Sequence, residues 1–224
     1  MRLFAALDTP YAITEEIHAW WLEAGGKLPI GDWRDIPPKN WHLTLAFYGD
    51  VEGGEVDDLA EALDEYVRGL VKEPLKSGRK REGELPGVTS PIRLKTTEFG
   101  AFRKFSKPRV LWAGVDDLEG SGELKEMARC CRRAGRATVR KRSAKESPFK
   151  GHITLARANE FAAPITAGML AAMPPFPELT WEAESLSLFS STLHPDGAKY
   201  RKLESFDFDV SLSGHRAGQE GLPK

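Results

Sequence analysis

Two six-residue segments of this chain read alike: Trp41-His42-Leu43-Thr44-Leu45-Ala46 and Gly151-His152-Ile153-Thr154-Leu155-Ala156. After its first residue each runs His-aliphatic-Thr-Leu-Ala. On a β-strand alternate side chains share a face, so His42, Thr44 and Ala46 stand on one side while Leu43, Leu45 and Phe47 turn to the other. His152 and Thr154 oppose Ile153 and Leu155 in the same way. Each strand therefore buries its leucines and presents an imidazole beside a hydroxyl. If the two halves of the chain pack about a pseudo-dyad, the polar faces meet across one cleft holding two histidines and two threonines. A single His-x-Thr on a strand is commonplace; the repetition is what points to chemistry.

That constellation suits reaction at phosphorus. A neutral imidazole can take the proton from an attacking water while a protonated one gives a proton to the departing ribose oxygen. Near neutral pH both forms of histidine are accessible, because its unperturbed pKa is about 6.5. Threonine hydroxyls can donate to the non-bridging oxygens where negative charge develops. No metal or cofactor is required. A metal bound by His42 and His152 is the weaker alternative, since each strand offers one good ligand and no Cys, Asp or Glu on the same face. His18, His194 and His215 have no comparable context and read as ordinary structural residues.

The elements that would position these groups can be traced from periodicity. Arg2 to Leu7 reads as a strand closed by Asp8-Thr9-Pro10, and Ile13, Ile17, Trp20, Trp21 and Ala24 recur at helical spacing until Gly25-Gly26. Pro37-Pro38 marks a loop before the strand from Trp41 to Phe47, and Val56, Leu59, Leu63, Tyr66, Val67 and Leu70 form one face of a second helix. Residues 72–90, rich in Lys, Arg, Glu and Gly with Pro74 and Pro86, read as a mobile insertion between two halves. Beyond it, Ile92 to Phe99 and Arg109 to Val115 resemble paired strands, and Leu118 to Ala134 carries a weaker helical pattern. The second motif strand, Gly151 to Arg157, comes next, then a short helix over Ile165 to Ala172. One long strand over Leu179 to Phe189 and another from Tyr200 to Phe208 follow. The pattern is α+β: a single domain of two similar lobes over residues 1–210, with a flexible tail over 211–224.

Composition limits the partners. Thirty-two Lys and Arg stand against 33 Asp and Glu among 224 residues, so a polyanion must be held by a local patch and not by the global field. One such patch is the run Arg129, Arg132, Arg133, Arg136, Arg140, Lys141, Arg142 and Lys145, which contains no acidic residue and precedes the second motif. It reads equally as a solvated surface and as a phosphate-backbone contact. Phe149 and Tyr200 are candidates to stack on bases, Lys150 and Arg157 flank the second motif as further RNA contacts, and Phe47 falls on the leucine face as core. Trp20, Trp21, Trp112 and Trp181 lie in periodic segments and read as core. Cys130 and Cys131 are adjacent, which suits neither an ordinary disulfide nor a zinc site. No apolar run is long enough to span a bilayer, and the expected setting is a monomer in the cytoplasm.

The paired motifs resemble the signatures of the two-histidine (2H) phosphoesterase superfamily. The phrases MRLFAALD, WHLTLAFYGDV, FGAFRKFSKPRVLWAGV, PFKGHITLAR and LFSSTLHPDGAKY are similar to the bacterial and archaeal RNA 2′,3′-cyclic phosphodiesterases, the LigT-like proteins once called 2′-5′ RNA ligases. The resemblance implies a bilobal pseudo-twofold fold, two antiparallel sheets facing a central cleft with helices outside. It implies hydrolysis of RNA 2′,3′-cyclic phosphate ends, on tRNA fragments or oligonucleotides, to 2′-phosphates, with His42 as proton donor, His152 as proton acceptor and Thr44 and Thr154 on the phosphate. Where the family often has Arg-Pro before the second histidine, this chain has Lys150-Gly151; lysine keeps the charge but loses the fork of arginine. Two alternatives stay open: ligation of a cyclic end to a 5′-hydroxyl by the reverse reaction, and an RNA-binding module with a vestigial site.

Overall fold

Five consecutive apolar residues, Leu3 to Leu7, are buried on both faces of the first strand. A strand covered on both sides belongs in the middle of a sheet, and the rest of the fold is arranged around it. The computed structural model describes residues 1–29, 31–69, 91–140, 148–159, 162–194 and 197–208. Through them run β1 (Arg2–Asp8), α1 (Tyr11–Gly25), β2 (Trp33–Asp35), a 3-10 turn at Pro38–Asn40, β3 (His42–Asp50) and α2 (Gly53–Val67). Then come β4 (Ile92–Phe102), β5 (Val110–Asp117), α3 (Glu123–Thr138), β6 (His152–Ala158), α4 (Ala167–Ala171), β7 (Thr180–Ala183), β8 (Ser185–His194) and β9 (Gly197–Asp207). The insertion expected at 72–90 and the tail expected at 211–224 lie outside the described residues.

The strand order β7-β4-β5-β6-β3-β1-β8-β9 is symmetric about the contact between β6 and β3, with every pairing antiparallel. Exchanging β6 with β3 exchanges β5 with β1, β4 with β8 and β7 with β9. The two antiparallel sheets expected of the two lobes are thus two four-stranded runs, joined into one path where Leu43 pairs with Ile153. β2 pairs separately with the outer end of β6. The helices tie the halves together from behind. On α3, Gly135 lies against the ring of Tyr48 from β3, whose hydroxyl donates to the Cys131 carbonyl at 3.2 Å. On α1, Trp20 and Trp21 pack against Phe99 of β4. Trp20, Trp21, Trp112 and Trp181 are all buried, as their periodic settings predict.

Three elements differ from the periodic reading for local reasons. α3 begins at Glu123 and not near Leu118, because Gly120 and Gly122 take left-handed backbone (φ 66° and 88°) and make a turn first. The Asp117 carboxylate accepts the backbone N–H groups of Gly122 at 2.7 Å and Leu124 at 3.0 Å, satisfying donors at the helix start. The single strand expected over Leu179 to Phe189 is two: the chain leaves β4 after β7 and crosses at Glu184 to pair as β8 with β1. β2 is three residues long, too short to show a period.

Gly151 fixes the start of β6. Its carbonyl accepts from Val115 N–H at 3.0 Å, and a Cβ at this position would lie 2.3 Å from the Val115 carbonyl oxygen and 3.1 Å from Leu124. Any side chain there must push β6 off β5 and move His152 with it. We expect Gly151→Ala to lose about 1–3 kcal/mol of stability, read as a Tm lowered by several degrees, with turnover falling more than Tm alone explains. An unchanged Tm would contradict this packing.

Candidate active site

The two motif strands carry the same irregularity. Where β3 pairs with β1, the register runs Ala5 to Ala46 and then Ala6 to Thr44, which leaves Leu45 as an extra residue. Where β6 pairs with β5, it runs Leu111 to Ala156 and then Trp112 to Thr154, which leaves Leu155 as the extra residue. A bulge of this kind breaks strict alternation and re-aims the residues that follow. Leu45 and Ala46 are both buried, as are Leu155 and Ala156, and the next residues, Phe47 and Arg157, swing to the polar side. Phe47, expected in the core on strict alternation, is 44% exposed and faces the cleft, and Ala46, expected beside Thr44, is in the core.

One cavity of about 670 Å³ collects the groups that the repeat singles out: His42, Thr44, His152 and Thr154 all line it, with Phe47, Arg157 and Tyr200. Arg2, Arg34, Asn40 and His194 line it as well. No Asp or Glu is among the described residues lining the cavity. In a chain of net charge −1 this is a locally cationic hollow without a described carboxylate in its wall. Among the described residues no three His, Cys, Asp or Glu side chains converge as metal ligands.

Each histidine is held by the same device. His42 Nδ1 lies 2.8 Å from the carbonyl of Asn40, and His152 Nδ1 lies 2.7 Å from the carbonyl of Lys150. A carbonyl only accepts, so Nδ1 carries the proton in both rings and Nε2 is left for the cavity. The Asn40 carbonyl is presented by the 3-10 turn, and the Asn40 side chain donates to the Ala198 carbonyl of β9 at 3.2 Å. Aromatic carbon surrounds both rings. His42 stacks on Phe4 with centroids 4.8 Å apart and meets the edge of Tyr200 at 5.1 Å, while His152 meets Phe102 at 4.8 Å. This burial is the main reason that both imidazoles are harder to protonate than free histidine. His42 is brought down to about 4, the Asn40 carbonyl and Asp8 opposing the shift and the charges of His152 and Arg157 adding to it. His152 is lowered too, mainly by burial, with its Lys150 carbonyl bond opposing and Arg157 and Lys150 adding.

The remaining candidates divide. Tyr200 and Arg157 line the cavity, but Phe149 packs against the core beneath the Arg132 guanidinium at 5.7 Å. Lys150 sits over the Trp112 ring at 4.2 Å and pairs with Glu98 at 3.0 Å. Arg140 is also away from the cavity, its side chain 91% exposed beside Glu55. Arg142 lies outside the described residues. The basic run therefore contributes none of its described members to the cavity wall, because α3 packs behind the sheet. Arg2, Arg34 and Asn40 carry no signal in the sequence, and His194, which reads there as an ordinary structural residue, lines the cavity. Arg34 stands on a strand without a period, and His194 ends a long strand whose partners only the fold reveals.

A pseudo-twofold α+β sheet that brings two His-x-Thr strands to one cavity defines a two-histidine phosphoesterase fold. The chain belongs to the 2′-5′ RNA ligase superfamily, whose family model matches residues 9–194. It is 32% identical to a Thermus thermophilus protein named RNA 2′,3′-cyclic phosphodiesterase, over 98% of this chain and 94% of that one. It is 27% identical to the Thermotoga maritima protein of the same name, over 95% and 98%. A crystal structure of a Thermus thermophilus protein superposes with a TM-score of 0.65 at 28% identity, covering 93% of this chain and 98% of the other. E. coli LigT, solved with 3′-AMP, shares the fold with a TM-score of 0.66 at 23% identity, over 92% and 97%. No helix among the described residues is long and apolar enough to cross a membrane.

The depressed histidines make a pH prediction. Unfolded histidine titrates near 6.5, whereas folded His42 titrates near 4. Between those values the unfolded chain binds more protons, so stability falls as pH drops from 6.5 toward 4. NMR titration of the ring Cε1–H signals should give a His42 midpoint close to pH 4 and a His152 midpoint below 6.5, and His42→Gln should flatten part of the acid loss of Tm. A His42 midpoint at or above 6.5 would contradict the burial described here.

Proposed function

We propose that the chain hydrolyses the 2′,3′-cyclic phosphate at the 3′ end of RNA to a 2′-phosphomonoester, with the two histidines as acid and base. The observation that carries this reading is the convergence of two equivalent His-Thr pairs on one cavity that no described carboxylate lines. Its nearest support in kind is the name RNA 2′,3′-cyclic phosphodiesterase borne by relatives aligned over nearly the whole chain.

In this reading His152 Nε2 removes a proton from a water placed opposite the P–O3′ bond. As the new P–O bond forms and P–O3′ breaks, His42 Nε2–H passes its proton to O3′. One proton enters the pair and one leaves, so exchange with solvent resets the site. Thr44 and Thr154 donate to the non-bridging oxygens, where charge builds in the transition state. Burial makes both imidazoles favour the neutral form, and the anion of the cyclic phosphate, lying against His42, restores the protonated form that the donor role needs. Arg157, whose charge reaches both histidines, is neutralised by the same anion.

Ligation uses the same atoms in reverse, with a 5′-hydroxyl oxygen in the place of water; the family description keeps that direction in view. The reading extends to a monomer working in the cytoplasm on tRNA fragments or other oligonucleotides. The free, buried thiols of Cys130 and Cys131, of which Cys130 is pushed up to about 11 by burial, accord with a reducing compartment.

A short RNA ending in a 2′,3′-cyclic phosphate, incubated with EDTA, should be opened to the 2′-phosphate. His42→Ala and His152→Ala should each lower kcat by about 10²–10⁴-fold, and Thr44→Ala or Thr154→Ala by about 10²-fold. Arrest by EDTA would return the metal reading, and tight RNA binding without turnover would favour a vestigial RNA-binding site.

A further inference from the structure

The two histidines stand on equivalent strands in unequal surroundings. On β3, His42 is paired across the ladder with Asp8 of β1; on β6, His152 is paired with Gly114 of β5. These are matching places, since the symmetry of the strand order exchanges β3 with β6 and β1 with β5. Opposed residues share a face with Cβ atoms about 4.5–5.5 Å apart, so a carboxylate stands beside one imidazole and bare backbone beside the other. The second place has no room for a side chain. A Cβ on Gly114 would run into the Thr97 hydroxyl and lie 3.1 Å from both the Glu98 carbonyl and the Trp112 ring.

The Asp8 carboxylate is held in place from the neighbouring strands. Its Oδ2 accepts from the Ser187 hydroxyl at 3.0 Å and from the Lys202 ammonium at 2.6 Å. Ser187 is wholly buried, so packing fixes that donor. The charged and titratable groups that face His42 are Asp8 from β1, His152 and Arg157 from β6, and Tyr200 from β9, with Lys202 of β9 on the Asp8 carboxylate and Arg2, Arg34 and His194 in the same cavity wall. An opposite charge favours the charged form of a titrating group. Asp8 therefore favours the imidazolium of His42, against burial and against the charges of His152 and Arg157. Beside His152, Phe102 of β4 brings only an aromatic edge, and the charges of Arg157 and Lys150 both add to the effect of burial. Glu98 of β4 is taken up by Lys150.

We propose that Asp8 is a positioning residue that breaks the pseudo-dyad: standing opposite His42, with no counterpart opposite His152, its carboxylate keeps the donated proton on His42 and leaves His152 as the base. The inference rests on the hydrolase reading given above and adds what sets the direction of proton flow. Lys202 belongs to the same device. Its ammonium offsets the carboxylate, so loss of Asp8 and loss of Lys202 act on His42 in opposite senses. A clasp that only tied β1 to β9 would be broken alike by losing either end.

The test follows kcat against pH for the wild type, Asp8→Asn and Lys202→Met on two substrates: a short RNA ending in a 2′,3′-cyclic phosphate, and the same RNA with sulfur as the bridging 3′ atom. The donor must be protonated and the base neutral, so kcat falls on the alkaline side with the donor and on the acid side with the base. In Asp8→Asn we expect kcat on the alkaline side of the wild-type optimum to be about tenfold lower, a displacement of about one pH unit, with the acid side unchanged. Lys202→Met should raise kcat on the alkaline side, and its direction of change decides the matter if Asp8→Asn does not fold. On the sulfur substrate, whose leaving group needs no proton, both variants should match the wild type. Changes of the same sign in the two variants, or an equal loss on both substrates, would reduce the Asp8–Lys202 pair to a structural clasp and overturn the proposal, as would an Asp8→Asn profile that superposes on the wild type. If the wild type turns over neither RNA, the hydrolase reading fails; NMR titration of the His42 ring then decides the placement of Asp8 alone. A midpoint that rises in Lys202→Met, with that of His152 unmoved, supports it, and an unmoved His42 overturns it.

Discussion

The contact between Leu43 and Ile153 is the narrowest point of the sheet, and the geometry of the cavity depends on it. One paired position joins two four-stranded runs, and the residues on either side of that position are His42 and Thr44 on one strand, His152 and Thr154 on the other. Because the two leucine-rich faces are buried by helices that reach across from the opposite half, the seam cannot open without exposing the core behind it. The polar faces are held toward each other by apolar packing on their backs. A site that needs two imidazoles within reach of one phosphorus is thereby fixed by burial of Leu43, Leu45, Ile153 and Leu155, an arrangement of the supporting groups more rigid than any loop would give.

Electrostatics then decides what such a site can hold. Burial in aromatic carbon favours neutral histidines, carbonyl bonds at Nδ1 turn each Nε2 to the cavity, and arginines without described carboxylate partners in the wall leave a field that suits an anion. These features act together: burial disfavours the imidazolium form, and an anion lying beside either ring would favour it. The near-zero net charge of the chain makes this a property of the hollow and not of the molecule. The basic run ahead of the second motif, the feature that composition makes most conspicuous, contributes no described residue to the cavity wall.

Much of this was legible in the residues. The repeated His-x-Thr gave the two strands, their polar faces and the expectation of one shared cavity, because alternation is a rule of backbone geometry and holds over the four residues from each histidine to Leu45 or Leu155. It stops being a guide at the fifth, Ala46 and Ala156. The bulges at Leu45 and Leu155 arise from pairing with β1 and β5, so no local signal announced that Phe47 and Arg157 would turn inward. Register between strands far apart in sequence is likewise what sets Arg34 beside Arg157 and brings His194 and Arg2 to the rim. The helix start at Glu123 depended on a carboxylate, Asp117, whose capping role follows from the turn that the two glycines make. The crossing at Glu184, which sends one apparent strand into two halves of the sheet, had no signature in a periodic segment.

The central claim is that two equivalent imidazoles divide the work, His42 giving a proton to the departing 3′ oxygen and His152 taking one from water. Replacing the bridging 3′ oxygen of the cyclic phosphate by sulfur tests it most directly, because a thiolate leaves without a proton. Rates on the oxygen and sulfur substrates would be compared for the wild type, His42→Ala and His152→Ala. The account predicts that sulfur restores His42→Ala toward the wild-type rate and leaves His152→Ala slow. Rescue of His152→Ala instead, or of neither variant, would contradict it.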